Sequence, residues 1–223
     1  MTGTMSRGNI DRITQLRRRV RVIELLDAAE RAGLSPIPIL QFHVLAYLCN
    51  VLAPVWDMPS VDGKILKRFG GPYYPVLQWD VDRLVGMGVV IVSDVSYVRD
   101  ADDRWRLEGA FQLNHSMSDR IVRSLNEFHW GRQRLTFVHE VAYALSALPE
   151  HSVEIAISDD ATYSDPLISI GNVIDYGEWS DKNYSANAAL HFRDLLPDGL
   201  RATPEEMLHL YVRHLYARMQ GGR

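Results

Sequence analysis

The chain has 223 residues, of which 47% are hydrophobic and 23% charged, and a formal net charge of −4. That length holds one large domain or two small ones with a proper core, and that balance excludes a largely disordered chain. No apolar run offers the ~20 residues that span a bilayer, because the longest candidate, residues 37–56, is broken by Pro38, Gln41, His43, Asn50 and Pro54.

From the N-terminus, Ile13, Leu16, Val20, Ile23, Leu26 and Ala29 recur every three or four residues and predict a helix over 10–32, with Gly33 as its stop. The first 21 residues lack the apolar segment of a signal peptide, so a cytoplasmic protein is expected. They carry Arg7, Arg12, Arg17, Arg18, Arg19 and Arg21 against Asp11, a net of +5. Between 150 and 206 the balance reverses, with Asp159, Asp160, Asp165, Asp175, Glu178 and Asp181. Such asymmetry points to a partner surface at one end, with a merely solvated basic face as the alternative.

After Pro36 and Pro38 a second helix is expected over 37–53, apolar nearly all round and therefore central. Its lone Cys49 makes no intramolecular disulfide or cysteine metal site and reads as a small buried hydrophobe. Residues 56–72 are loop-like, with a short extended piece near Ile65 and Leu66. A third helix is predicted from Tyr73 to Met87, with Pro75 in its first turn and Gly88 at its end. Two strands follow, 89–98 and 104–114, joined across the polar tip "RDADD" at 99–103. Three helices and then a hairpin is the winged-helix order.

In the second half, Ser116 and Asp119 suggest a capped helix running to His129, and apolar spacing gives another over 135–148. The order of elements between 150 and 185 stays open. Helices are expected over 186–196 and 204–219, the latter opened by Thr203, Pro204 and Glu206. The expected class is α+β, mostly helical. It comprises a winged-helix domain with a basic N-terminal helix (1–113) and a helical α+β domain (114–223), for which a second winged-helix-like unit fits the length.

No phosphate loop, dinucleotide fingerprint, zinc-protease or nucleophile-elbow motif occurs. His209 and His214 are five apart on a helix and face apart; His139 and Glu140 lack a third ligand nearby. Asp159, Asp160 and Asp165 can hold a divalent ion, yet they match no EF-hand pattern and read as an acidic turn. The expectation is therefore a protein that is not an enzyme, with no catalytic residue, cofactor or metal.

Binding remains. On the third helix, Leu77, Val81, Leu84 and Val85 mark the buried side, with Asp80 on its flank, and Gln78, Trp79, Asp82 and Arg83 lie opposite. A major-groove reader presents Arg, Lys, Asn or Gln to bases, whereas carboxylates repel phosphates. Gln78, Trp79, Asp82 and Arg83 are thus expected to bind a protein partner, with Trp79 as anchor; the alternative is that the C-terminal half covers Trp79. Arg17, Arg18, Arg19, Arg21, Lys64, Lys67 and Arg68 are candidates for non-specific contact with nucleic-acid backbone or an acidic partner.

The stretch "GLSPIPILQFHVLAYLCNVLAPVWDMPSVDGKILKRFGGPYYPVLQWDVDRLVGMGVV", with its "DGK" loop and "GGPYYP" helix start, resembles the middle component of bacterial three-component ABC-type operons, the Lamassu antiphage systems among them. The resemblance covers about residues 20–95. It implies a non-catalytic subunit bridging an SMC-like ATPase dimer and an effector, a nuclease, in antiviral defence. A weaker similarity runs to tandem winged-helix subunits that bind kleisins in SMC complexes, and to antitoxin-like winged helices with a "GPYS" start. Tyr74 stands where the latter carry a small hydroxyl residue. A DNA-binding regulator or antitoxin, with the "RDADDR" wing on the DNA backbone, is the alternative reading.

Overall fold

The computed structural model describes residues 7–60, 64–68, 70–99, 105–149, 152–175, 183–197 and 200–221. The fold is α+β and mostly helical. Helix α1 (Arg7–Arg31) ends on Gly33, whose φ of 75° lets Leu34 N–H donate back to Ala29 O, a closure that suits glycine. A two-residue strand β1 (Ile37–Pro38) leads into α2 (Ile39–Val51). Its residues from Phe42 to Val51 are all buried, as an all-round apolar pattern demands. Next come β2 (Lys64–Arg68), β3 (Gly71–Tyr73), α3 (Pro75–Gly86), β4 (Val90–Arg99) and β5 (Trp105–Leu113). The second half holds α4 (His115–Glu127), α5 (His129–Ser146), α6 (Val153–Ser158), β6 (Val173–Asp175), α7 (Tyr184–His191) and α8 (Pro204–Gly221).

Two small antiparallel sheets tie these together, one ordered β1-β5-β4 and the other β3-β2-β6. The second joins the halves, since Ile65 on β2 pairs with Ile174 on β6. The division expected at 113/114 falls at the β5–α4 junction, but packing continues across it. Helix α5 lies against α1, α2 and α8, and one cluster of buried side chains runs from Val22 on α1 to Leu215 on α8.

Several local expectations are revised. Helix α4 begins at His115, with Asn114 rather than Ser116 at the cap; Ser116 Oγ instead donates to Asn114 Oδ1. Helix α5 starts six residues before Leu135, where its apolar period first becomes visible. Helix α6 and strand β6 occupy the region that resisted ordering. Thr203 and Glu206 do form a reciprocal capping box, Thr203 N–H to Glu206 Oε2 at 2.8 Å and Glu206 N–H to Thr203 Oγ1 at 3.3 Å. Asp100, Asp102, Asp103 and Arg104, expected at a wing tip, and the acids Glu178 and Asp181 lie outside the described residues.

Asp160 is a structural knot. It is fully buried, and its Oδ1 accepts from Tyr47 Oη, Thr162 N, Tyr163 N and Ser185 Oγ, while Oδ2 accepts from Tyr211 Oη at 2.6 Å. Burial and the adjacent Asp160 drive the Tyr211 hydroxyl far above the ordinary tyrosine range, so it remains a donor. The carboxylate thereby pins α2, α7 and α8 to the turn after α6. Among the described residues, no three His, Cys, Asp or Glu side chains gather as a metal cluster.

Candidate partner-binding surface

The third helix enters with Pro75 at its first position, where a missing N–H costs nothing, and leaves through Gly88 at φ 72°. Leu77, Asp80, Val81 and Leu84 are buried. Asp80 is thus a core-facing residue rather than a flanking one. Its carboxylate receives Arg18 Nε at 2.7 Å, with Arg19 Nε at 3.6 Å. The outward face carries Val76, Trp79, Asp82 and Arg83. Trp79 is 68% exposed, so the C-terminal half of the chain does not cover it.

Beside this face, α3 and the β4–β5 hairpin enclose a groove of about 600 Å³. Alternation on β5 turns Leu107, Gly109 and Phe111 into it. On β4 the lining residues are Val92 and Val95, three apart, because the register slips by one residue between Ser93 and Ser96. Asp94 absorbs the extra position at φ 52°. Strict alternation would put Asp94 on the groove face; the bulge presents Val95 instead. Gly109 lies opposite, where a Cβ would come within 3.1 Å of Val92 Cγ2. An apolar floor is built here by a backbone irregularity, which is why no hydropathy pattern announces it.

The groove's polar wall is held by a chain of hydrogen bonds that starts in the core. Tyr74 N–H donates to His43 Nδ1 at 3.3 Å, so the other ring nitrogen carries the proton and donates to Gln78 Oε1 at 3.1 Å. Gln78 Nε2 then donates to Asp82 Oδ1 at 2.8 Å. Burial drives the His43 pKa down to about 4, which keeps the ring neutral and the direction of the chain fixed. Gln78 and Asp82, expected to act together, are thereby locked together. Arg68 completes this wall, its guanidinium 4.5 Å from the centre of the Tyr73 ring.

The expected basic contacts are dispersed. Arg18 and Arg19 neutralise Asp80. Arg21 is buried and donates to Ala46 O at 3.1 Å. Lys67 is 8% exposed, with its ammonium on the carbonyls of Asp165 at 3.1 Å and Ile168 at 2.8 Å and over the Tyr163 ring. Arg17 is exposed on α1. Lys64 is exposed on β2, with a 3.3 Å approach to Asp175. The structure brings Gln78, Asp82 and Arg68 to one groove, keeps Trp79 and Arg83 on the adjoining surface, and leaves no shared basic face for the other six. Sequence reasoning missed His43 and the hairpin floor. The visible signal for His43 was a histidine inside an all-apolar helix; for the floor it was Gly109 within a strand pattern. No protein-family model, curated protein or solved structure matches this chain.

Proposed function

We propose that this chain is a non-catalytic adaptor of winged-helix design, which uses the outer face of α3 and the adjoining groove to hold a protein partner. The order α1, β1, α2, α3, β4, β5, with the sheet β1-β5-β4, supports the winged-helix reading. One contrast carries the functional reading: where a DNA reader turns several cations outward, the helix equivalent to the reader turns out Val76, Trp79 and Asp82, with Arg83 as its one cation. Arg18, Arg19, Arg21 and Lys67 meanwhile serve the interior. Val76 on the same helix and Val95, Tyr97 and Leu107 on the hairpin are exposed as well, which adds apolar area on α3 and the hairpin. The resemblance over residues 20–95 gives the partners their class, an SMC-like ATPase dimer and an effector nuclease of an antiphage complex.

Co-purification with the neighbouring gene products tests this, together with DNA binding by the isolated chain. The adaptor retains a large ATPase and binds DNA weakly and without sequence preference. Nanomolar, sequence-selective operator binding by the chain alone refutes the proposal and favours the regulator or antitoxin reading. Because Arg18, Arg19 and Arg21 have internal duties, Arg17→Glu with Lys64→Glu is the clean charge reversal. Unchanged DNA affinity in that pair marks both residues as solvated.

A further inference from the structure

The apolar stripe of α1 runs on past the part of the helix that the fold buries. Ile23 and Leu26 on that stripe are 2% and 1% exposed. The same three- and four-residue spacing continues toward the N-terminus through half-buried Val20 to Leu16 and Ile13, which are 61% and 37% exposed. Apolar side chains in line at this spacing form the seam along which one helix pairs with another. Here the first half of the seam faces water.

The charges beside the seam select what covers it. From Arg12 to Ile23 the helix carries five arginines and no acid. Three of them are turned to the protein itself, Arg18 and Arg19 toward Asp80 and Arg21 onto Ala46 O. Arg12 and Arg17 are exposed, and among the described residues neither has an ion-pair partner. At about 100° per residue, Leu16, Val20 and Ile13 span about 60° of the helix surface, with Arg12 about 40° beyond one edge and Arg17 about 40° beyond the other. These are the flanking positions whose charge sets the choice of partner in a helix pair. A second copy of this chain sets arginine against arginine, and a nucleic-acid backbone leaves Leu16 and Ile13 uncovered between the two cations. We propose that α1 from Arg12 to Val20 docks an acidic amphipathic helix of a protein partner, which lays an aliphatic seam on Ile13, Leu16 and Val20 and sets carboxylates against Arg12 and Arg17. This surface goes beyond the face of α3 on which the adaptor reading rests, and it stands whether or not that face holds a partner.

Two synthetic helical peptides of about three heptads each test it on the full-length chain, both with Ile and Leu along the seam, one with Glu on both flanks and the other with Lys in the same places. Fluorescence anisotropy is expected to show micromolar binding of the Glu peptide and binding of the Lys peptide weaker by at least about tenfold. Leu16→Glu, at an exposed position, should weaken the Glu peptide at least about tenfold and leave Tm unchanged. Arg12→Glu together with Arg17→Glu should turn the preference over to the Lys peptide, a reversal that loss of fold does not produce. Trp79→Ala should leave peptide binding as it is, so that failure here and failure of the α3 reading are seen in different variants. Four results overturn the proposal: no binding of the Glu peptide at about 0.1 mM, equal affinity for the two peptides, self-association of the chain that Leu16→Glu abolishes, or tighter binding of a random-sequence duplex that the double charge reversal removes and Leu16→Glu does not.

Discussion

Asp80→Asn asks whether the basic first helix is held off nucleic acid by its own protein. The substitution keeps the shape and an acceptor oxygen at 80 but removes the charge that Arg18 meets at 2.7 Å and Arg19 at 3.6 Å. A charge-assisted hydrogen bond contributes about 1.5–3 kcal/mol net, against about 0.5–1.5 for a neutral one, so that contact alone loses about 1–2 kcal/mol. The longer Arg19 approach adds a further fraction, since both arginines are partly exposed and screened. A total near 2 kcal/mol lowers Tm by about 4–8 °C in a chain of this length. The released arginines then become available to phosphates. Each added phosphate contact steepens the dependence of log K on log salt by about 0.9, so freeing both adds at most about 1.8 to the slope. The assay is paired: thermal unfolding, and binding of a random-sequence duplex across a salt series. If wild type already shows the steep slope and Asp80→Asn leaves it unchanged, Arg18 and Arg19 were never withheld, and the argument for a protein-facing α3 loses its main support.

Three other outcomes follow from the same geometry. Trp79→Ala should leave stability within about 0.5 kcal/mol, as at other exposed sites, while weakening partner capture more than tenfold as a hot-spot truncation does; a collapse in Tm shows instead that the indole is part of the core. Asp160→Ala leaves the buried Tyr47, Tyr211 and Ser185 hydroxyls without their shared acceptor, and at about 1–3 kcal/mol for each such group a loss of about 3 kcal/mol or more is expected in urea unfolding; a loss under about 1 kcal/mol contradicts the knot. His43 gives a pH signature. Its folded pKa of about 4 lies below the ordinary 6.5, so above pH 6.5 both states hold it neutral and it adds no pH dependence. As pH falls from 6.5 toward 4 the unfolded chain takes up a proton that the fold refuses, and stability drops by up to about 3 kcal/mol. His43→Gln should flatten that part of the profile, and an equally steep profile in the variant assigns the effect to other groups.

Local periodicity made most of the helices legible, because a helix's apolar stripe is written within its own residues. Helix α2 reads from its all-round apolar content and α8 from a capping box that the structure reproduces. What failed was whatever depended on a distant partner. The start of α5, "HWGRQR", looks polar and loop-like, yet Gly131 lies so close to α4 that a Cβ there would sit 2.1 Å from Leu125 O, a contact only a glycine permits. Strand β6 has three residues and no pattern of its own; β2 supplies its ladder from more than a hundred positions away. Asp160 looked like one of several acids in a turn, because its five donors come from four separate segments.

The third helix shows how such distance effects change a functional argument without reversing it. Read alone, α3 offers two carboxylates to any approaching phosphate, Asp80 and Asp82. In the fold only Asp82 is outward, so the local case against DNA is weaker by one charge. The same burial, however, removes two cations, since Arg18 and Arg19 are drawn to Asp80 across 62 and 61 positions of sequence, and the core removes Arg21 and Lys67 as well. The net effect is a surface poorer in positive charge than the sequence advertises, with an exposed indole and a carboxylate whose position is set by a buried neutral histidine. Electrostatic attraction to nucleic acid scales with the number of cations that reach phosphate. Here that number is cut more sharply than the repulsion is, which supports the proposed protein partner over nucleic acid on this face.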